Sequence, residues 1–222
     1  MAHSHLNLVG LVGFTIVGTL PTILPTFAHH RMVSGAELRA AWWVCAAATA
    51  AMAAGPAGGP PVIGAATLAA AGALAVVAAG VVVRLGRKGL RGGLPFLQVL
   101  AGCGWLAAWA AADGISLISS GAMRPLGGWI GAAAVTGVGQ VLLGSLAYLV
   151  PVLAGPGPRL GRNHRRMLRR PWVPLAAANA AGVMLVTGPA AGAVAAAAVW
   201  GAGFVLRLAR LEWRADTAPG SA

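Results

Sequence analysis

The chain has 222 residues, of which 58% are hydrophobic types and only 9% are charged, with 33 glycines. A soluble surface needs about 25% charged residues, so the composition excludes a cytosolic enzyme, a nucleic-acid-binding domain and a disordered tail. Sixteen basic and four acidic residues leave a formal charge of +12. The basic residues lie in short clusters between apolar runs, the pattern of a polytopic membrane protein.

A membrane-crossing helix needs about 20 mostly apolar residues. Seven stretches approach that length, and they predict an all-α bundle of seven spans: Leu6 to Ala28, Ala40 to Ala57, Val62 to Val83, Leu94 to Ala112, Gly128 to Ala154, Trp172 to Gly188, and Ala190 to Leu208. Gly188-Pro189 supplies the break between the last two, and the Gly55–Pro61 stretch does the same between the second and third. Residues 1–214 then form a single transmembrane helical domain, with 215–222 as a short cytoplasmic tail. The first span has no Arg or Lys before it, so it is not read as a signal peptide. It starts so close to Met1 that upstream spans remain open.

Charge gives an independent test of the count. Arg31 and Arg39 follow span one. Arg84, Arg87, Lys88 and Arg91 follow span three. Arg159, Arg162, Arg165, Arg166, Arg169 and Arg170 follow span five, and Arg207, Arg210 and Arg214 follow span seven. Fifteen of the 16 basic residues therefore share one face, and Arg124 alone is opposite. Cytoplasmic loops collect Lys and Arg, so the amino terminus is predicted outside and the carboxyl terminus inside. The clusters after spans three and five also suit anionic lipid head groups, and no nucleic-acid partner is expected.

Polar residues inside spans tend to face a bundle interior. In span one Thr15, Thr19, Thr22 and Thr26 form one helical stripe, which Asn7 and His29 extend. Pro21 and Pro25 interrupt the ladder beside it, and threonine hydroxyls can satisfy the freed carbonyls. The stripe is either interhelical glue around a kink or a wall of an interior polar site. Thr136, Gln140, Gly144 and Tyr148 form a second stripe in span five, with Gln98 and Asn179 as possible further members. Asp113 and Arg124 are expected to pair in the external loop after span four. Trp105 and Trp109 are read as packing residues. Gly127-xxx-Gly131 and Gly188-xxx-Gly192 have small-residue packing spacing.

His3-Ser4-His5 offers two imidazoles to a copper or zinc ion if extended. His29-His30-Arg31 reads as an interfacial cap. Spans two to seven contain no histidine, so a buried bis-histidine haem would need ligands from a partner or a missing upstream segment. Cys45 and Cys103 lie in apolar runs and form no disulfide framework.

The run His3-Ser4-His5-Leu6-Asn7-Leu8-Val9-Gly10, continuing through Gly18-Thr19-Leu20 to Leu24-Pro25-Thr26, resembles a recurrent segment of actinobacterial polytopic membrane proteins. Gly139-Gln140-Val141-Leu142-Leu143-Gly144-Ser145-Leu146-Ala147-Tyr148-Leu149-Val150-Pro151 resembles another part of the same group. Those proteins are often labelled copper oxidases or copper-containing nitrite reductases, and their membrane domain can be joined to a cupredoxin domain, which this chain lacks. The two segments cover about a fifth of the chain. The resemblance implies a multi-pass cell-membrane module of a copper-linked respiratory or nitrogen-oxide system, with a cupredoxin-type partner and no catalysis by the chain alone. It points to His5, Asn7, Gln140 and Tyr148, with copper at His3 and His5. A small-solute or ion permease is the alternative, weakened by the lack of a buried acid. A structural assembly subunit is the third reading.

Overall fold

The computed structural model describes residues 5–31, 35–87, 93–121, 127–155, 157–170 and 172–213. Eight helices follow one another among them: α1 (Leu6–Phe27), α2 (Ala36–Ala53), α3 (Gly55–Gly86), α4 (Leu94–Ser120), α5 (Gly128–Ala154), α6 (Pro158–Met167), α7 (Trp172–Thr187) and α8 (Ala190–Leu208). The described residues contain no strand. Five helices, α1, α3, α4, α5 and α8, are long and apolar enough to cross a membrane. The apolar part of α2, Leu38–Ala53, and α7 are shorter.

The breaks fall where backbone chemistry places them. Gly59 takes φ 71° at the head of α3, a left-handed conformation that glycine alone adopts freely. Gly188, with φ 107°, separates α7 from α8. Three elements differ from the sequence expectation. The Gly55–Pro61 stretch, expected as a break, is wound into the head of α3, and α2 ends at Ala53 rather than Ala57. The fourth span, expected to end at Ala112, runs on as α4 to Ser120, where Gly121 caps it at φ 64°. Nothing in Asp113–Ser120 breaks a helix; only the charge of Asp113 suggested an end. The stretch after α5, expected as a basic loop, contains α6, which buries Asn163 and Met167 and leaves most of its arginines exposed.

α3 packs against α1, α2 and α4, while α4 also packs against α5 and α7; α8 leans mainly on α7, and α6 joins α5 to α8. Apolar contacts do not drive helices together in lipid, so small residues at crossings matter. At the α3–α4 crossing a Cβ on Gly64 would lie 2.8 Å from the Gly114 carbonyl, and one on Gly114 would lie 2.8 Å from that of Gly64. Gly102 of α4 stands as close to the Gly137 carbonyl of α5, at 2.6 Å from a built Cβ. Gly188, one of the glycines selected by spacing, serves as the turn.

Gly114→Val forces α3 and α4 apart and lowers stability by on the order of 1–3 kcal/mol. Gly72→Ala meets nothing within 4 Å and, as an alanine inside a helix, raises stability by up to about 1 kcal/mol. Thermal melts of both variants in detergent check this; equal melting temperatures would contradict the glycine crossing.

Candidate functional site

The sharpest polar feature lies at the amino-terminal end of α1. His5 Nε2 and Asp113 Oδ2 meet at 2.6 Å, 108 residues apart in sequence. The two residues are 1% and 2% exposed. Asp113 sits seven residues before the end of α4, about 10 Å inside it. This corrects the expectation of an external-loop Asp113 paired with Arg124, which lies outside the described residues. Trp109, one turn before Asp113, stacks on the His5 ring with centroids 6.4 Å apart and planes at 29°. Its Nε1 is buried without a partner. Beside it, Trp109, Cys45, Leu8 and Leu106 line a cavity of about 20 Å³.

A second polar group lies further along α4. Trp105 Nε1 donates to Asn179 Oδ1 at 2.8 Å. Asn179 Nδ2 donates to the Leu175 carbonyl at 2.8 Å and makes a longer approach, 3.4 Å, to Gln140 Oε1. Gln140 is fully buried, and its Nε2 lacks a partner, as does Trp200 Nε1. Thr136 is buried beside Gly182 and donates to the Ala132 carbonyl. Gln98, Trp105, Trp109 and Asp113 are spaced 7, 4 and 4 along α4, so they share one face. That stripe runs from the buried Gln98 to the His5–Asp113 pair.

The other predicted site residues do not join this interior. Thr15, Thr19, Thr22 and Thr26 are exposed on the outward side of α1, as is Asn7. The hydroxyls of Thr15, Thr19 and Thr26 donate to carbonyls one turn back, at 2.7–2.9 Å. They bond the Leu11, Thr15 and Thr22 carbonyls rather than those of Val17 and Pro21 that the prolines free, and they wall no interior site. Tyr148 is half-buried at the opposite end, between Phe27 and His164, with centroids at 4.8 and 5.4 Å. His29 has φ 56°, and the His30 N–H closes on the Pro25 carbonyl at 2.8 Å, so the segment caps α1. His3, Lys88, Arg91 and Arg214 lie outside the described residues. Among those residues no three His, Cys, Asp or Glu side chains converge as metal ligands. Sequence reasoning named Asp113 as the only candidate buried acid but set it near a loop, and it read Trp109 as packing. The available signal was that Asp113 is the sole acid between Glu37 and Glu212.

At the basic end, Arg162 and Arg166 both bind the Glu212 carboxylate at 2.8 Å. Asn163 takes the Glu212 N–H at 2.9 Å and donates to its carbonyl at 3.0 Å. The hydrogen bond from Arg162 holds the Glu212 carboxyl below its ordinary pKa. Burial lowers the His164 pKa, partly offset by its contact with the Tyr148 carbonyl. Comparison with known proteins finds no family model, curated protein or solved structure that matches the chain.

Two outcomes follow. Removing one member of a buried pair strands the other, at a cost on the order of 3 kcal/mol. Asp113→Leu therefore lowers the detergent melting temperature, and adding His5→Leu restores most of the loss; additive losses would show that the groups are uncoupled. The shifts of His164 in α6 and of Glu212 bound to α6 both depress the folded pKa, so their stabilisation is present above the unfolded values and lost as pH falls through the folded ones. Amide protection of Pro158–Met167, corrected for intrinsic exchange, therefore holds above pH 6.5 and falls below it. His164→Gln removes that fall and leaves only the Glu212 step below pH 4.5.

Proposed function

We propose that this chain is a multi-pass integral protein of the cell membrane, with seven spans, its amino terminus outside and its carboxyl terminus in the cytoplasm. Its function is proton-linked movement of a small solute or ion, with His5–Asp113 as the proton-binding site. Five helices of membrane-crossing length and apolarity support the coarse reading. α2 and α7 complete the seven, and the one-sided basic clusters support the orientation.

The observation that carries the functional reading is the His5–Asp113 contact. An ionisable pair inside apolar helices is costly and is characteristic of proton and ion pathways. It also supplies the buried acid that the permease reading lacked. The two groups can share a proton between Nε2 and Oδ2 or pass it on, and Trp109 keeps the imidazole in register. The polar face of α4 offers further hydrogen-bonding groups toward the other end of the bundle.

One observation favours the copper-linked reading as a second. A carboxylate that fixes an imidazole is the usual outer support of a metal-bound histidine. The described residues do not fit a complete copper site, because Nε2 is taken by Asp113 and no third ligand converges. Copper at His5 would need ligands from outside them, with His3 nearest in sequence and a cupredoxin-type partner as another source. Anchoring such a partner without catalysis is the structural form of this reading.

Full-length protein in vesicles containing a trapped pH dye tests the proposal. An imposed potential should acidify wild-type vesicles faster than empty ones, and Asp113→Asn should return the rate to that of empty vesicles. Equal rates for wild type and Asp113→Asn would reject the proton site. Copper bound by wild type and lost in His3→Ala/His5→Ala would favour the second reading instead. Reporters fused to the two termini should give opposite sides.

A further inference from the structure

Where α6, the link after it and the last turn of α8 meet, a cavity of about 800 Å³ opens. Arg166, Arg169, Arg170, Arg207 and Arg210 line it. Val173 and Leu206, both more than half exposed, line it beside the apolar lengths of α7 and α8. Backbone carbonyls fix two of the guanidinium groups. Arg166 Nη1 donates to the Arg210 carbonyl at 2.9 Å, and Arg207 donates to the carbonyls of Gly203 and Arg169 at 3.3 and 3.1 Å. Only one carboxylate faces the group among the described residues: Glu212, bound to Arg166 and Arg162. Arg169, Arg170, Arg207 and Arg210 are left without one.

Four guanidinium groups around one cavity, with no carboxylate partner among the described residues, repel one another and favour an anion between them. Arg170 lies in the link between α6 and α7. Its φ is 51°, a left-handed conformation that disfavours residues with a Cβ, yet an arginine occupies it.

We propose that this cavity binds the phosphate headgroup of an anionic phospholipid, whose acyl chains run along Val173 and Leu206. Guanidinium groups present a planar fork that matches two phosphate oxygens, and basic pockets between membrane helices suit lipid phosphates. The exposed apolar residues continuous with the arginines distinguish a lipid from free phosphate, which would need none. The site reaches beyond the loop arginines selected by sequence, because Arg207 and Arg210 come from the far end of the chain.

The inference rests on the chain being embedded in a bilayer, and carbonate extraction tests that reading separately. Release into the soluble fraction would overturn the bilayer reading; retention without a lipid response would overturn only this site. Full-length protein in detergent is titrated with dioleoyl phosphatidylglycerol, dioleoyl phosphatidylcholine or inorganic phosphate. Phosphatidylglycerol should raise the melting temperature and remain bound in native mass spectra, and phosphatidylcholine should do neither. An equal response to phosphatidylcholine would overturn the site, and an equal response to inorganic phosphate would reassign it to the free ion. Asn tolerates the left-handed backbone, so Arg170→Asn with Arg210→Gln removes two charges without straining the link. This variant should keep its lipid-free melting temperature and weaken phosphatidylglycerol binding about tenfold, or 1.4 kcal/mol. Arg31→Gln with Arg39→Gln, two exposed arginines away from the cavity, should leave binding unchanged. Full binding by the Arg170/Arg210 variant would refute the proposal, and if that variant fails to fold, the contrast between the two lipids on wild type still decides it.

Discussion

A carboxylate among apolar helices needs a partner that neutralises it or shares its proton, because an isolated charge in such surroundings is too costly to keep. Asp113 has that partner in His5, at 2.6 Å. The contact pins the amino-terminal end of α1 against α4, although α1 otherwise packs mainly on α2 and α3. It also brings Trp109 over the imidazole. The placement of the first helix and the chemistry at that end of the bundle both depend on this contact.

The apolar helices were legible because hydrocarbon-length runs and glycine–proline breaks are local signals. Gly188-Pro189 marked the α7–α8 hairpin, and the Gly55–Pro61 stretch marked the boundary of α2 and α3, although its residues are wound into the head of α3. Partners far apart in sequence left no such signal. Asp113 looked like a loop residue because a lone acid ordinarily ends an apolar run, and nothing local points to His5. The threonine stripe of α1 shows a different limit. Periodicity identifies a face without saying what that face meets. Threonine hydroxyls bonded one turn back carry no unmet polar demand, so the stripe can face outward. Gln140 was legible as a deep hydrogen-bonding group and Asn179 as a possible companion, whereas Trp105, read as packing, joined them only through the packing of α4 on α7.

The two ends of the bundle are built on different principles. At the His5 end, a pair of ionisable groups is enclosed by apolar helices. At the other, arginines from α6 and the end of α8 are held near the surface by Glu212 and by backbone carbonyls. Exposed arginine–carboxylate pairs contribute little individually. The buried side chain of Asn163, bonded to both the N–H and the carbonyl of Glu212, supplies the directional restraint that makes α6 a clamp on the end of α8. The face of α4 carrying Gln98, Trp105, Trp109 and Asp113 extends between these regions and gives the interior a polar line in an otherwise apolar bundle.

Local helix geometry departs from the regular α pattern beside that line. The first residues of α1, Leu6–Gly13, are wound as a π-helix beginning directly after His5, and Ala133–Val138 of α5 are wound the same way. The second stretch contains buried Thr136 and packs against α4 and α7. π-winding is rare, and it is enriched at functional positions because it shifts side chains out of the 3.6-residue register. In α1 the shift accompanies the turn of His5 toward Asp113 while the threonines further along face outward. In α5 it accompanies the close seat of Thr136 against Gly182, beside the group formed by Trp105, Asn179 and Gln140. Both departures thus occur where a helix brings polar groups to α4, which is where local regularity is expected to yield to the needs of a site.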